Sequence, residues 1–458
     1  MSLDDLLRRE RFTRREALKS LAGGFGMIGL ADLLAADAHA APGHIVGPHF
    51  APTAKHVILL FMGGGPSHID LFDPKPALMK YEGQRPSSVD LRTERTTAGL
   101  LPSSFKFSKH GKSGIEMSEL IPQLGTVADE MCVIRSMFTT NPNHGPAQNI
   151  FHQGSLIVSR PSMGAWVSYG LGTENKNLPG FVVLTTDGFV NSTSGFLPAE
   201  YQGTSFNITE TAPEKMIRYL RNTEVTTEVQ RAEIDLIQAL NKQHEDHFGQ
   251  DAFLDGRIAS METAFKMQFA AMDTLDVRKE PAAIQEEYGS SPYARGCLMA
   301  RRLVESGVRT VVLHYGPSNW DDHKKIEPNL RERCPNMDQA SAALIRDLKR
   351  RGLLDETLVV WGGEFGRTPV SESGDGRDHD PYGFTVFMAG GGIKGGMTYG
   401  ATDEFGFKAV ENRMDIHDLH ATILHTLGIN HEKLTYRYAG RDFRLTDVAG
   451  NVVKDVLA

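Results

Sequence analysis

Five short stretches of this chain gather side chains able to bind metal ions or move protons. They are Gly63-Gly64-Gly65-Pro66-Ser67-His68-Ile69-Asp70, Thr139-Thr140-Asn141-Pro142-Asn143-His144-Gly145, Asn319-Trp320-Asp321-Asp322-His323, Gly362-Gly363-Glu364-Phe365-Gly366-Arg367-Thr368 and Gly376-Arg377-Asp378-His379-Asp380. Carboxylates and imidazoles are the ligands that hard and borderline divalent ions prefer. An ion held by them polarises a phosphoryl or sulfuryl oxygen and lowers the pKa of water. Arg367 and Arg377 carry forked donors suited to an anionic ester. Taken singly, no stretch is specific. A triple glycine is commonly a tight turn, and this one lacks the spacing of a dinucleotide or phosphate loop; it would let the backbone approach a ligand closely. Glu364 would serve equally as the cap of a following helix. His314 reads as packed within a strand. His417, His420 and His425 share a predicted helix at spacings that do not pair on one ion. The case for a site is that the five stretches recur at equivalent positions.

Those positions are strand ends. Residues 56–62 are a continuous apolar run that stops abruptly at glycine, the pattern of a strand buried on both faces. Similar runs occupy 131–134, 181–184, 308–314, 357–361 and 384–389. Helical spacing fills 292–306, 336–351 and 415–427, the last with Asp415 as N-cap and Gly428 past its end. Alternating strands and helices imply an α/β fold: a mostly parallel central sheet with helices on both faces. In such a sheet ligands bind outside the carboxyl ends of the strands, so the five stretches should converge on one edge. Residues 208–290, rich in Glu, Gln, Lys and Ala, read as a helical insertion, and 83–114 as a long loop.

The N-terminus reads as an export signal. Thr13-Arg14-Arg15-Glu16-Ala17-Leu18-Lys19 precedes a weakly apolar stretch, and Ala38-His39-Ala40 closes it with small residues. This is a twin-arginine leader over 1–40, cleaved after Ala40. A linker over 41–54 and a single domain over 55–458 follow. The expected partners therefore include the twin-arginine export machinery, and the expected location is periplasmic or extracellular. No later segment is apolar enough to span a bilayer. The net charge of −8 gives no basis for nucleic acid as a partner. Cys132, Cys297 and Cys334 show neither metal spacing nor a disulfide framework, so free thiols are expected, with room for one bridge at most.

Four strings carry a resemblance. The Gly63–Asp70 stretch with Phe72-Asp73-Pro74-Lys75-Pro76, the run Glu364-Phe365-Gly366-Arg367-Thr368-Pro369, Gly376-Arg377-Asp378-His379, and Ala389-Gly390-Gly391-Gly392-Ile393-Lys394-Gly395-Gly396 resemble the domain-of-unknown-function family numbered fifteen hundred and one. The resemblance runs from about Lys55 to the C-terminus. It implies the alkaline phosphatase and sulfatase superfamily, hence an alkaline phosphatase-like fold and a metal-dependent hydrolase of phosphate or sulfate esters. The implied cofactor is a divalent ion of zinc, calcium or magnesium type. The implied substrate is an anionic ester, a sulfated or phosphorylated small molecule or carbohydrate. Carried over residue by residue, the superfamily pattern fits in part. Its metal-binding Asp after the first strand is replaced by the glycine turn, with His68 and Asp70 as substitutes. Its Asp-x-x-x-His pair is compressed to Asp321, Asp322 and His323. Its later Asp-His becomes Glu364-Phe365. His379, next to Asp378, matches the last histidine. The formylglycine motif Cys-x-Pro-x-Arg is absent, since Cys132-Val133-Ile134-Arg135 lacks the proline. Ser67 and Thr139 are the nucleophile candidates. These departures leave room for one ion instead of two, and for the alternative of a non-catalytic protein that captures a carbohydrate or envelope partner.

Overall fold

The computed structural model describes residues 47–87, 93–157, 159–175, 177–186, 191–216, 226–249, 252–316 and 319–458. The expected leader and the start of the linker lie outside the described residues. Residues 47–54 are docked on the domain: Gly47 N–H donates to Gly170 O at 2.8 Å, and Thr53 N–H to Thr426 O at 2.8 Å.

The strands that matter are β1 (His56–Phe61), β2 (Met131–Phe138), β3 (Phe181–Thr185), β4 (Thr204–Asn207), β5 (Thr310–His314), β6 (Thr357–Gly362), β7 (Gly366–Glu372), β8 (Gly376–Asp380), β9 (Phe384–Ala389), β10 (Met397–Tyr399) and β11 (Met414–Asp415). Nine of them form one sheet in the order β10-β2-β9-β6-β1-β5-β3-β4, with β11 beside β2. β1 pairs in parallel with β5 and β6, and β3 in parallel with β4 and β5. β9 runs antiparallel to both of its neighbours, β2 and β6. The sheet is therefore mostly parallel, and all six expected strands are present.

Alternation explains why these strands read as unbroken apolar runs. Ile58 and Leu60 of β1 enter one core cluster, whereas Val57, Leu59 and Phe61 enter the other. Val311 and Leu313 against Val312, and Val359 and Trp361 against Leu358 and Val360, divide the same way. The first cluster is covered by α5 (Pro292–Glu305) and α6 (Ile326–Arg350). The second is covered by α1 (His144–Gln153), α2 (Met163–Leu171) and α7 (Ile416–Thr426). Leu344, Ile345 and Leu348 of α6 are fully buried. Such side chains contribute roughly 1.5–3 kcal/mol each relative to exposure. Asp415 caps α7 in a capping box, accepting from His417 N at 2.7 Å and Asp418 N at 3.0 Å. Residues 208–290 supply α3 (Thr227–Phe248) and α4 (Ala252–Thr274).

Three local readings change. The segment after Glu364 is not a helix but the antiparallel hairpin β7–β8, so Glu364 caps nothing. α6 begins ten residues before the spacing suggested. The 83–114 loop includes a short strand, Phe107–His110, and is bridged at Leu100 to Val370 of β7. The three cysteines are free and buried. Among the described residues no helix is long and apolar enough to cross a membrane.

Candidate metal centre

The floor of the site is the turn that ends β1. Gly64 and Gly65 have φ of +111° and +76°, conformations that L side chains rarely adopt. A Cβ on Gly64 would lie 2.7 Å from the backbone nitrogens of Trp320 and Asp321, and one on Gly65 2.6 Å from the Phe365 ring. The glycines thus let other parts of the chain approach; they are not the ligand cradle the sequence suggested. Trp320 N–H donates to Gly63 O at 3.1 Å, which lays the 319–323 segment across the turn.

On this floor four side chains converge. Asp321 Oδ1 lies 2.8 Å from His323 Nε2, 3.1 Å from His379 Nε2 and 3.2 Å from His144 Nε2. Each chain segment comes from a different element: the start of α1, the loop after β5, and β8. The second nitrogen of every ring is held from behind. His144 Nδ1 is 2.8 Å from Glu364 Oε1, His379 Nδ1 is 2.7 Å from Pro142 O, and His323 Nδ1 is 2.5 Å from Glu372 Oε2. With Nδ1–H donating outward, each Nε2 turns its lone pair to the centre, the usual way a protein orients metal-binding imidazoles. Phe365 packs beneath, its ring centroid 4.9 Å from His144 and 4.6 Å from His379.

The electrostatics favour a cation. Burial alone would lower the His144 pKa, but the neighbouring carboxylates of Asp321 and Glu364 outweigh that and raise it to about 9. Burial would raise Asp321, yet three imidazoles and the Arg367 guanidinium hold it far below the usual carboxylate range. Burial, the largest influence on His379, keeps that ring below its ordinary value. His144 Nε2 is buried and, although 3.2 Å from Asp321 Oδ1, makes no hydrogen bond. An orphaned imidazole nitrogen aimed at a carboxylate and two further Nε2 atoms is a donor set that fits one divalent ion. The Asp321 side chain is 26% exposed and that of His144 22%, so solvent reaches the centre from one side.

The other expected site residues have different surroundings. Glu364 is fully buried behind the ligand ring, accepting from His144, from Gly64 N–H at 3.0 Å and from Gln148 Nε2 at 3.1 Å. Arg367, also fully buried, donates from Nε to Gly65 O at 2.9 Å, from Nη1 to Arg377 O at 3.1 Å, and from Nη2 to Gly64 O and, at 2.6 Å, to Asp321 Oδ1. Its donors are spent on positioning Asp321 and the turn, not on a substrate. Arg377 pairs with Asp70, Nε to Oδ2 at 2.9 Å, and Ser67 Oγ donates to the same Oδ2 at 2.5 Å. His68 turns away, with Nε2 2.7 Å from Gly406 O. Ser67, His68 and Asp70 therefore form a buried brace beside the centre. Thr139 N–H donates to Pro381 O at 2.7 Å, tying the end of β2 to the entry of β9. Asp322 pairs with Arg333 at 2.7 Å. Asp378 lies in a second group with His323 and Glu372, whose ligand atoms all fall within 4.8 Å of one another. Neither His144 nor Glu372 stands out as a ligand from the sequence alone. His144 lies in one of the five strand-end stretches, whereas Glu372 is brought in by a hairpin whose sequence signal is its turn, Ser373-Gly374-Asp375-Gly376.

Fold and site together define an α/β protein with a candidate divalent-metal centre beyond the carboxyl ends of its parallel strands. The chain belongs to the family described as Protein of unknown function (DUF1501), whose model matches residues 54–457. No curated protein matches it. Among solved structures it is similar to the PsFucS1 sulfatase from Pseudoalteromonas sp., at 13% identity and a TM-score of 0.36, over 83% of this chain and 68% of that one. It is similar to alkaline phosphatase from the Antarctic bacterium TAB5, at 12% identity and 0.35, over 83% and 99%. It is also similar to the lipoteichoic acid synthase LtaP from Listeria monocytogenes, at 10% and 0.36, over 87% and 76%.

Proposed function

We propose that the protein is an exported, metal-dependent hydrolase of phosphate or sulfate esters. The observation that supports this most is the convergence of three imidazole Nε2 atoms on Asp321 Oδ1 at a solvent-open face. His144, Asp321, His323 and His379 would hold the ion. When bound, it would supply Lewis acidity toward an ester oxygen and lower the pKa of water. The chain's own residues then do the positioning. Glu364, Glu372 and Pro142 O fix the three rings, and Arg367 fixes Asp321. Ser67 is 2% exposed and its hydroxyl is committed to Asp70, so the attacking group in this reading is water, not serine.

One observation favours a second reading, a non-catalytic protein that binds a carbohydrate or envelope partner. Both site arginines, Arg367 and Arg377, are fully buried and engaged inside the protein, which removes the expected clamp for an anionic ester. The test is turnover of aryl phosphates and aryl sulfates by the mature protein supplied with Zn²⁺, Mn²⁺, Mg²⁺ or Ca²⁺, beside Asp321→Asn. Metal-dependent turnover lost in Asp321→Asn supports the hydrolase; metal binding with no turnover favours the second reading. Export by the twin-arginine route is part of the proposal and rests on Arg14-Arg15 and Ala38-His39-Ala40. Replacing both arginines by lysine should retain the precursor in the cytoplasm, and unchanged export would remove that part.

A further inference from the structure

A cavity of about 530 Å³ lies where the 208–290 segment meets α5. That is the size of a small-molecule site and far above the voids that ordinary packing leaves. It is separate from the metal centre. Gly289 at its edge faces α6, where an added Cβ would lie 3.3 Å from the Gln339 side chain. Gln339 stands about 20 Å along α6 from its first residue, Ile326, at about 1.5 Å per residue. The floor of the cavity is apolar, lined by buried Val277 and by buried Ala294 and Leu298, one turn apart on α5.

Two guanidiniums border that floor, and they differ. Arg278 is taken by Asp276 in a forked pair, Nε to Oδ1 at 2.6 Å and Nη2 to Oδ2 at 2.9 Å. Arg295, half-buried, forms no ion pair among the described residues. Its Nη1 donates to Ser290 O at 3.1 Å, and its Nη2 to Ile208 O at 3.1 Å and Thr209 O at 3.3 Å. Three carbonyl dipoles thus face a full positive charge. A guanidinium has five N–H donors, so one Nη1 hydrogen is left over beside the cavity. Nε is buried without a hydrogen bond. Arg295 lies in the first turn of the 14-residue α5, whose N-terminal end adds partial positive charge. Glu286, the carboxylate in the lining, is exposed at the rim, where water screens it.

We infer that this cavity binds a small amphipathic anion. Its apolar body lies on Val277, Ala294 and Leu298, and its one carboxylate, sulfate or phosphate group accepts from Arg295 Nη1. The inference is independent of the metal centre and of the hydrolase reading. The rival explanation is a gap that takes any apolar molecule, with Arg295 serving only to tie down the carbonyls of Ile208 and Thr209. The two separate on charge: a ligand site distinguishes an anion from an uncharged molecule of the same shape, and a gap does not.

The experiment is fluorescence titration of the mature protein with 8-anilinonaphthalene-1-sulfonate and with N-phenyl-1-naphthylamine, the same ring body without the sulfonate. One sulfonate dye per chain is expected, held about 10–100-fold more tightly than the uncharged dye, as a charged hydrogen bond provides. Arg295→Met should abolish that preference and leave the uncharged dye within about threefold of wild type. Ser290→Glu should weaken the sulfonate dye alone, because it sets a competing carboxylate beside Arg295. Ser290 is exposed, so this variant decides the matter if Arg295→Met does not fold. Ala294→Phe should exclude both dyes by filling the floor. Equal affinity of the wild type for the two dyes, binding of neither, or a preference that survives in Ser290→Glu would each overturn the inference. Unchanged affinities in a folded Ala294→Phe would do the same, and so would displacement of the sulfonate dye by Zn²⁺, which would put the dye at the metal centre.

Discussion

Glu364 touches no solvent, yet it holds His144 in place, so its replacement isolates the value of orienting a ligand. Its carboxylate accepts from His144 Nδ1 at 2.8 Å, Gly64 N–H at 3.0 Å and Gln148 Nε2 at 3.1 Å. Glu364→Gln keeps an acceptor but loses the charge behind the imidazole. Loss of such an outer partner typically costs 10–100-fold in metal affinity, or about 1.4–2.8 kcal/mol at 1.4 kcal/mol per tenfold. Glu364→Ala does more, because it strands the buried donors of Gly64 and Gln148 at ~1–3 kcal/mol each. The glutamine variant should therefore show weakened zinc affinity with a modest stability change. The alanine variant should lose roughly 2–6 kcal/mol of stability as well. Chelator competition gives the affinity and urea unfolding of the metal-free protein the stability. A glutamine variant that binds zinc within threefold of wild type, with an alanine variant of unchanged stability, would refute the orienting role.

Other outcomes follow from the same geometry. Gly64→Ala places a Cβ 2.7 Å from two backbone nitrogens at a φ of +111°; it should cost about 2–5 kcal/mol and weaken metal binding by shifting Asp321, both measurable on one purified variant. Arg377→Met strands the Asp70 carboxylate, 1% exposed, in the interior; a loss of about 3–5 kcal/mol in urea unfolding is expected, with no rise in KM for any ester that is turned over. Burial, reinforced by the charge of His417, pushes the His420 pKa down to about 4 from 6.5. Below pH 6.5 the unfolded chain takes up a proton that the folded chain refuses, so stability falls as the pH drops toward 4, by about 3 kcal/mol from this group. Unfolding free energies at pH 7 and pH 4.5 should differ less in His420→Gln than in wild type, and an identical difference would remove His420 from the acid response.

The sheet was readable because each parallel strand is buried on both faces and so appears as an uninterrupted apolar run. β1 is the clearest case, with Val57 to Phe61 dividing residue by residue between two cores. The convergence of Asp321, His323, Glu364 and His379 on one region followed from their places after strands. What the residues do there was less readable. Every residue of the strands β7 and β8 is buried, only their turn being exposed, so they lack the polar alternation that marks a half-exposed hairpin, and nothing in their pattern points to Glu372. Arg367, Arg377 and Asp70 are chemically apt for a substrate or an ion, but the partners that occupy them come from distant parts of the chain. The three glycines signal close approach without saying of what; here it is Asp321 and Phe365 that approach.

The central claim is that His144, Asp321, His323 and His379 bind a divalent ion, and crystals of the mature protein grown with Zn²⁺ test it most directly. The account predicts an anomalous peak at the zinc edge bonded to the Nε2 atoms of the three histidines and to an Asp321 carboxylate oxygen, at ~2.0–2.2 Å. Density showing those four side chains bonded to one another, with no anomalous peak between them at saturating zinc, would contradict it.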